Sequence, residues 1–213
     1  MEILAKISEA LQKGDDKTVS ALTKQALDSK VPPKEILDNG LVAAMDVVGK
    51  QFAEHEIFLP EVLMAAKAMY AGLDLVKPLL EGEDIPSAGK IVLGTVQGDL
   101  HDIGKNLVGI MLRGAGLEVV DLGKDVPAEK FVEVAESEGA DLIGMSALLT
   151  TTAPVMQQVV DLLKERQLHG KIRTVIGGAP VTDKFAKEIG ADAYAFDAAR
   201  AVEVVKQMVR GDQ

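Results

Sequence analysis

Apolar positions along the chain follow two different rhythms. Over residues 1–80 they recur at helical spacing. Ile3, Leu4, Ile7 and Leu11 fall on one face of a first helix. Asp15 or Asp16 can cap a second, with Val19, Leu22, Ala26 and Leu27 along its face. Pro33 suits the start of a third, which carries Ile36, Leu37, Leu41, Ala44, Met45 and Val48. Pro60 opens a fourth, with Val62, Leu63, Ala66, Met69, Leu73 and Val76 on one side. Ala65, Ala68 and Ala71 make that helix apolar nearly all round, which predicts a central place. Four helices with short links predict a small bundle over residues 1–85. The stretch 81–89 is polar and rich in helix breakers, and reads as a linker.

Beyond it the rhythm changes to short apolar runs alternating with helical patterns. Strands are predicted at Ile91 to Val96, Glu118 to Asp121, Leu142 to Met145, Thr174 to Ile176 and Ala193 to Phe196. Helices are predicted at Ile103 to Arg113, Ala128 to Glu138, Thr152 to Arg166, Asp183 to Ile189 and Ala198 to Val209. This alternation predicts a second domain, 90–213, of α/β class: a doubly wound parallel sheet of five strands.

Composition narrows the function. Of the 213 residues, 47% are hydrophobic but only 3% aromatic, so the cores are aliphatic. A formal charge of -10 with no basic patch argues against a nucleic-acid partner. No run approaches the roughly 20 apolar residues of a membrane span. The first residues lack a basic stretch before an apolar one, so no secretory signal is predicted and the expected location is the cytoplasm. There is no cysteine, which removes zinc–thiolate and iron–sulfur chemistry from this chain.

Three loops at strand carboxyl ends carry the candidate chemistry. After the first strand stands Gly98-Asp99-Leu100-His101-Asp102-Ile103-Gly104. A metal-bound imidazole commonly donates its second N–H to a carboxylate, and Asp99 is the natural partner for His101. Asp102 lies where a helix cap is expected. Gly104 leaves room for something bulky beside the backbone. After the third strand comes Ser146-Ala147-Leu148-Leu149-Thr150-Thr151-Thr152, where Thr151 or Thr152 before Ala153-Pro154 also suits a helix cap. After the fourth comes Gly177-Gly178-Ala179, either a tight turn or a close approach to a ligand. The loops share one sheet edge, where open α/β sheets bind ligands.

Asp99/His101/Gly104, then Ser146/Leu148, then Gly177/Gly178, resembles the Asp-x-His-x-x-Gly, Ser-x-Leu, Gly-Gly series of cobalamin-binding domains. Gly49-Lys50-Gln51-Phe52 through Phe58-Leu59-Pro60-Glu61-Val62-Leu63 resembles the helical cap that precedes this domain in methionine synthase. By layout the chain is similar to the free-standing corrinoid proteins of methanogen and acetogen methyltransferase systems.

The resemblance implies a flavodoxin-like sheet that binds cobalamin or a related corrinoid, with His101 as the metal ligand beneath the cobalt. It implies a His101–Asp99–Thr152 relay, Thr152 standing where methionine synthase has Ser. Asp102, Ile103, Gly104, Ser146, Leu148, Thr150, Gly177, Gly178 and Ala179 would contact the cofactor from below, and Phe52, Leu59 and Val62 from above. It also implies a methyl carrier. Co(I) takes a methyl group from a substrate-specific methyltransferase. The methyl-Co(III) form passes it to a second methyltransferase serving tetrahydrofolate or coenzyme M, and a reductive activase rescues oxidised cofactor. The alternatives are the small subunit of an adenosylcobalamin mutase and a cobalamin-dependent sensor. The mutase shares the domain but not the cap; the sensor usually adds a DNA-binding module and Trp.

Overall fold

The computed structural model describes residues 2–80 and 89–210 and divides into two compact units. The expected linker lies outside the described residues except for Gly89.

The first unit is helical: α1 (Glu2–Gln12), α2 (Asp16–Asp28), α3 (Pro33–Glu35), α4 (Ala43–Ala53) and α5 (Leu59–Leu80). Asp15 caps α2, its carboxylate accepting from Thr18 N at 3.0 Å and Thr18 Oγ1 at 2.6 Å. Glu61 reaches back to accept from Phe58 N at 3.1 Å, the returning half of a capping box for α5. The third predicted helix is not uniform. Ile36–Val42, between α3 and α4, is π-helical, with Ala43 N–H donating to Asp38 O. Ile36 and Leu41 are both fully buried. Five residues apart, they would point about 140° away from each other on an α-helix; the wider i→i+5 turn brings them to one face. The predicted central character of α5 holds: Val62, Ala65, Ala66, Ala68, Met69, Gly72, Val76 and Leu80 are buried. Gly72 allows the close packing, since a Cβ there would lie 2.7 Å from Leu41 Cδ2 and 3.1 Å from Val19 Cγ1.

The second unit contains β1 (Lys90–Val96), α6 (Ile103–Gly114), β2 (Glu118–Val126), α7 (Ala128–Ser137), β3 (Leu142–Ser146), α8 (Pro154–Glu165), β4 (Arg173–Gly177), α9 (Asp183–Ile189), β5 (Ala193–Ala195) and α10 (Ala198–Arg210). The strands pair in parallel in the order β2-β1-β3-β4-β5. Ile91, Val92, Leu93, Leu142, Ile143, Val175 and Ile176 are buried, as an interior parallel sheet requires. Each such aliphatic side chain contributes about 1.5–3 kcal/mol on burial. Phe131 of α7 is fully buried against β1, where a Cβ on Gly94 would lie 2.7 Å from its ring.

Several boundaries differ from expectation by a residue or more, those of β2, β5 and α8 among them. β2 runs on to Val126, because a bulged edge strand tolerates the polar Lys124 and Asp125 that end the apolar run. β5 stops at Ala195, leaving Phe196 exposed. α8 begins at Pro154 and has no side-chain cap, so the capping role suggested for Thr151 or Thr152 is not the one the structure uses.

Strand order reverses between β1 and β3, so the crevice outside their carboxyl ends is the place this topology offers a ligand. The His101 loop follows β1, and the Leu148–Thr152 loop follows β3.

Candidate functional site

Asp99 is the centre of the arrangement. Its side chain is fully buried, an expensive place for a carboxylate unless every lone pair is met. Oδ1 accepts from His101 N at 3.1 Å and faces His101 Nδ1 at 2.8 Å. Oδ2 accepts from Leu148 N at 2.7 Å, Leu149 N at 3.1 Å and Thr152 Oγ1 at 2.8 Å. Burial pushes the acid up, but the Leu148 amide, the His101 ring and amide and the Thr152 hydroxyl outweigh it. They hold Asp99 well below the usual carboxylate range.

An ionised Asp99 can only accept, so the ring nitrogen facing it must carry the proton. That places the neutral ring's hydrogen on Nδ1 and leaves a lone pair on Nε2, which takes no hydrogen bond from the described residues. The His101 side chain is 53% exposed. Thr95 Oγ1, buried in β1, donates to His101 O at 3.1 Å and ties the loop to the sheet.

Thr152 lies 2.8 Å from Asp99 Oδ2 and 3.0 Å from Leu149 O. Its single proton goes to the charged acceptor, the stronger of the two. Its methyl group faces Gly98, where an added Cβ would sit 3.3 Å away.

Leu100, Ile103, Leu148 and Leu149 are exposed large apolar side chains on the two loops that bear this network, Ile103 at 76%. Gly104 stands in the first turn of α6, and a Cβ there would meet nothing within 4 Å. Neither backbone nor neighbour requires glycine at that point, although glycine weakens a helix by up to about 1 kcal/mol relative to alanine. The bare backbone leaves room there for a bulky ligand.

Asp102 is half-buried ahead of α6, its carbonyl accepting from Asn106 N at 2.7 Å. Ser146 ends β3 in register with Thr95 and Gly177. Thr150 is exposed and outside the Asp99 network. The Gly177-Gly178 pair has an internal cause: a Cβ on Gly178, at φ +126°, would lie 1.8 Å from Ala147 O, and one on Gly177 would lie 2.7 Å from Ala195 O. Ala179 is exposed beside them. Phe52, Leu59 and Val62 belong to the helical unit, the first two half-buried and Val62 fully buried.

Sequence reading missed Leu149 as a donor to Asp99, because a backbone N–H leaves no side-chain signature. It also missed Lys105, whose buried ammonium lies 2.6 and 2.7 Å from the two carboxylate oxygens of Asp121 and pins the first turn of α6 to β2. Burial pushes Asp121 up; Lys105, the Gly123 N–H and Arg113 outweigh it and lower the acid. The available signal was a lone lysine on the face shared with Gly109 and Leu112.

Among the described residues no cluster of three or more His, Asp or Glu could hold a metal ion. A metal at His101 Nε2 must therefore bring its remaining ligands with it. A macrocycle does so, and a flat apolar body suits the exposed Leu100, Ile103, Leu148 and Leu149 on the segments that carry the network. A carboxylate-braced imidazole at the topological switch point of an α/β sheet, with exposed apolar side chains on the same segments, suits a metal carried in a macrocycle.

Comparison with known proteins places it further. The B12 binding domain family matches residues 89–206, and a second B12 binding domain model matches residues 3–77. The chain belongs to this B12-binding family, and its cofactor is cobalamin or a related corrinoid. It is 43% identical over 215 residues to a corrinoid protein of Desulfitobacterium hafniense strain Y51, covering 98% of each chain. It is 44% identical over 209 residues to the dimethylamine corrinoid protein of Methanosarcina barkeri, again covering 98% of each. Among solved structures it resembles a chain of the methanol:cobalamin methyltransferase complex of Methanosarcina barkeri. The TM-score is 0.90 at 33% identity, covering 100% of this chain and 81% of that one.

Proposed function

We propose that this chain carries a methyl group between two methyltransferases, one specific for the methylated substrate and one serving tetrahydrofolate or coenzyme M, with a reductive activase returning oxidised cofactor to use. When bound, the corrin cobalt supplies a centre that takes up a methyl group and gives it away. The protein's part is to hold that centre and present it.

The observation that carries this reading is the use of Asp99 and Thr152. Both are spent on orienting His101, whose Nε2 lone pair alone is left for a ligand. His101 would hold the metal; Asp99 keeps the ring in the tautomer that can ligate; Thr152 and the Leu148 and Leu149 amides keep Asp99 charged. To hold a metal Nε2 would have to be free of a proton, which is the state the Asp99 contact on Nδ1 leaves it in.

Asp102 and Ile103 would contact the cofactor beside His101, and Gly104, Ser146, Leu148, Thr150, Gly177, Gly178 and Ala179 would line the tunnel for its nucleotide tail. Phe52 and Leu59, backed by Val62, would cover the methyl-bearing face and exclude water. Residues 1–85 would form the cap and 90–213 the corrinoid domain. Among the described residues no helix is long and apolar enough to cross a membrane, in keeping with work in the cytoplasm beside other enzymes.

Relatives named for dimethylamine and a resembling structure named for methanol make methylamines and methanol the first donors to try. The reconstituted, reduced protein is incubated with isotopically labelled donor and its methyltransferase. Label should elute with the protein and be released by the second methyltransferase. A cobalamin-loaded protein that takes up no label from any such pair refutes the carrier reading.

A further inference from the structure

The His101 loop is gripped from a second side, by the edge strand. Leu93 pairs with Asp121 and Val96 with Val126, so β1 covers three steps while β2 covers five. Two residues are bulged out of β2 beside the site, where bulges commonly re-aim a side chain. The ladder resumes at Val126, so strand pairing does not itself require the detour.

The detour ends at Asp125, whose φ of +57° is a left-handed conformation that residues with a side chain rarely adopt. In that conformation Asp125 faces the loop after β1. Its Oδ1 accepts from Gly98 N at 2.7 Å, and its own N–H donates to Asp99 O at 3.1 Å. The Gly98–Asp99 pair, one residue short of His101, is thus held at both ends by one residue of β2. The bonds to Asp99 Oδ2 fix a side chain; these two fix the backbone from which it hangs.

We infer that Asp125 is a positioning residue for the axial imidazole, setting the height and direction of His101 Nε2 through the Gly98–Asp99 backbone without touching the ring. The inference rests on His101 being the ligand of the corrin metal. Asp125→Asn keeps an acceptor and tolerates the left-handed backbone. Asp125→Gly relieves that backbone but removes the acceptor, and Asp125→Ala removes it while keeping a Cβ.

Each variant, as the full chain grown on 15N, is loaded with cobalamin and reduced to the Co(II) state. Electron paramagnetic resonance then separates a protein nitrogen on cobalt, a doublet splitting, from the cofactor's own 14N, a triplet. Asp125→Asn should match the unaltered protein. Asp125→Gly and Asp125→Ala should lower the ratio of imidazole-ligated to unligated cobalt by about three- to tenfold, the worth of one hydrogen bond. An unchanged ratio in both overturns the inference, as does an equal loss in Asp125→Asn. His101→Ala in the same series separates the two readings: a doublet surviving there means that the axial-ligand assignment itself is wrong.

Discussion

Asp99→Asn replaces a set of acceptors by one acceptor and one donor with almost no change of shape. The buried carboxylate meets two N–H groups of His101 on one oxygen, and two amides and a hydroxyl on the other. Asparagine keeps most of these bonds by turning its oxygen toward Leu148, Leu149 and Thr152. Its NH2 then faces His101, and the His101 backbone N–H loses its partner, at a cost of about 1–3 kcal/mol. The opposite orientation leaves two backbone N–H groups unmatched, at about twice that cost. The ring now faces a donor, so its proton moves to Nε2 and Nδ1 becomes the acceptor. The nitrogen meant for the metal carries hydrogen. We expect the cofactor-free variant to lose about 1–3 kcal/mol in urea unfolding, and its 15N ring spectrum to report the Nε2–H tautomer. The protein-nitrogen splitting of the cobalamin-loaded form should vanish. A variant of unaltered stability that retains the Nδ1–H tautomer would refute the reasoning.

Further outcomes follow from the same geometry. The lowered pKa of Asp99 makes its contribution complete above about pH 4, the unfolded value, and lost as pH falls further toward the folded one; urea unfolding at pH 3 and pH 6 should show a loss that Asp99→Asn reduces. Thr152→Val removes a donor to a buried charge and should destabilise by about 1.5–3 kcal/mol, while Thr152→Ser should not; equal midpoints for both would remove Thr152 from the relay. Gly104→Ala should raise the thermal midpoint of the cofactor-free protein by the equivalent of about 0.5–1 kcal/mol and weaken cobalamin binding, measured by titration; unweakened binding would deny Gly104 its cofactor role. Phe52→Ala should speed photolysis of the methylated protein, and an unchanged rate would return Phe52 to the helical core.

The alternation of buried runs and amphipathic helices made the sheet legible, because an interior parallel strand such as Leu142–Ser146 must be apolar on both faces. The same rule hid the end of β2, where an edge strand exposes Lys124 and Asp125 and so resembles a loop. His101 and Asp99 were legible as a pair two residues apart; the other side of the network was not. Leu148 and Leu149 reach Asp99 through amides about 50 positions away, and amides are the same in every sequence. The spacing of Thr152 before Pro154 suited a helix cap equally well, and only the fold, by bringing the ends of β1 and β3 together, sends its hydroxyl to Asp99. The π-helical turn at Ile36–Val42 was hidden because Leu37 and Leu41 also stand at ordinary i, i+4 spacing, which masks the i, i+5 pair Ile36 and Leu41.

The two oxygens of Asp99 are anchored to different parts of the chain: Oδ2 to the loop after β3, Oδ1 to His101. The imidazole can tilt about its bond to Oδ1 while the three bonds to Oδ2 stay in place. A ring that tilted there would turn on the carboxylate as on a swivel bearing, leaving the position and charge of Asp99 unchanged. Were His101 to hold the corrin metal and let it go, it would stay on a short tether aimed at its docking point, and re-attachment would need no conformational search.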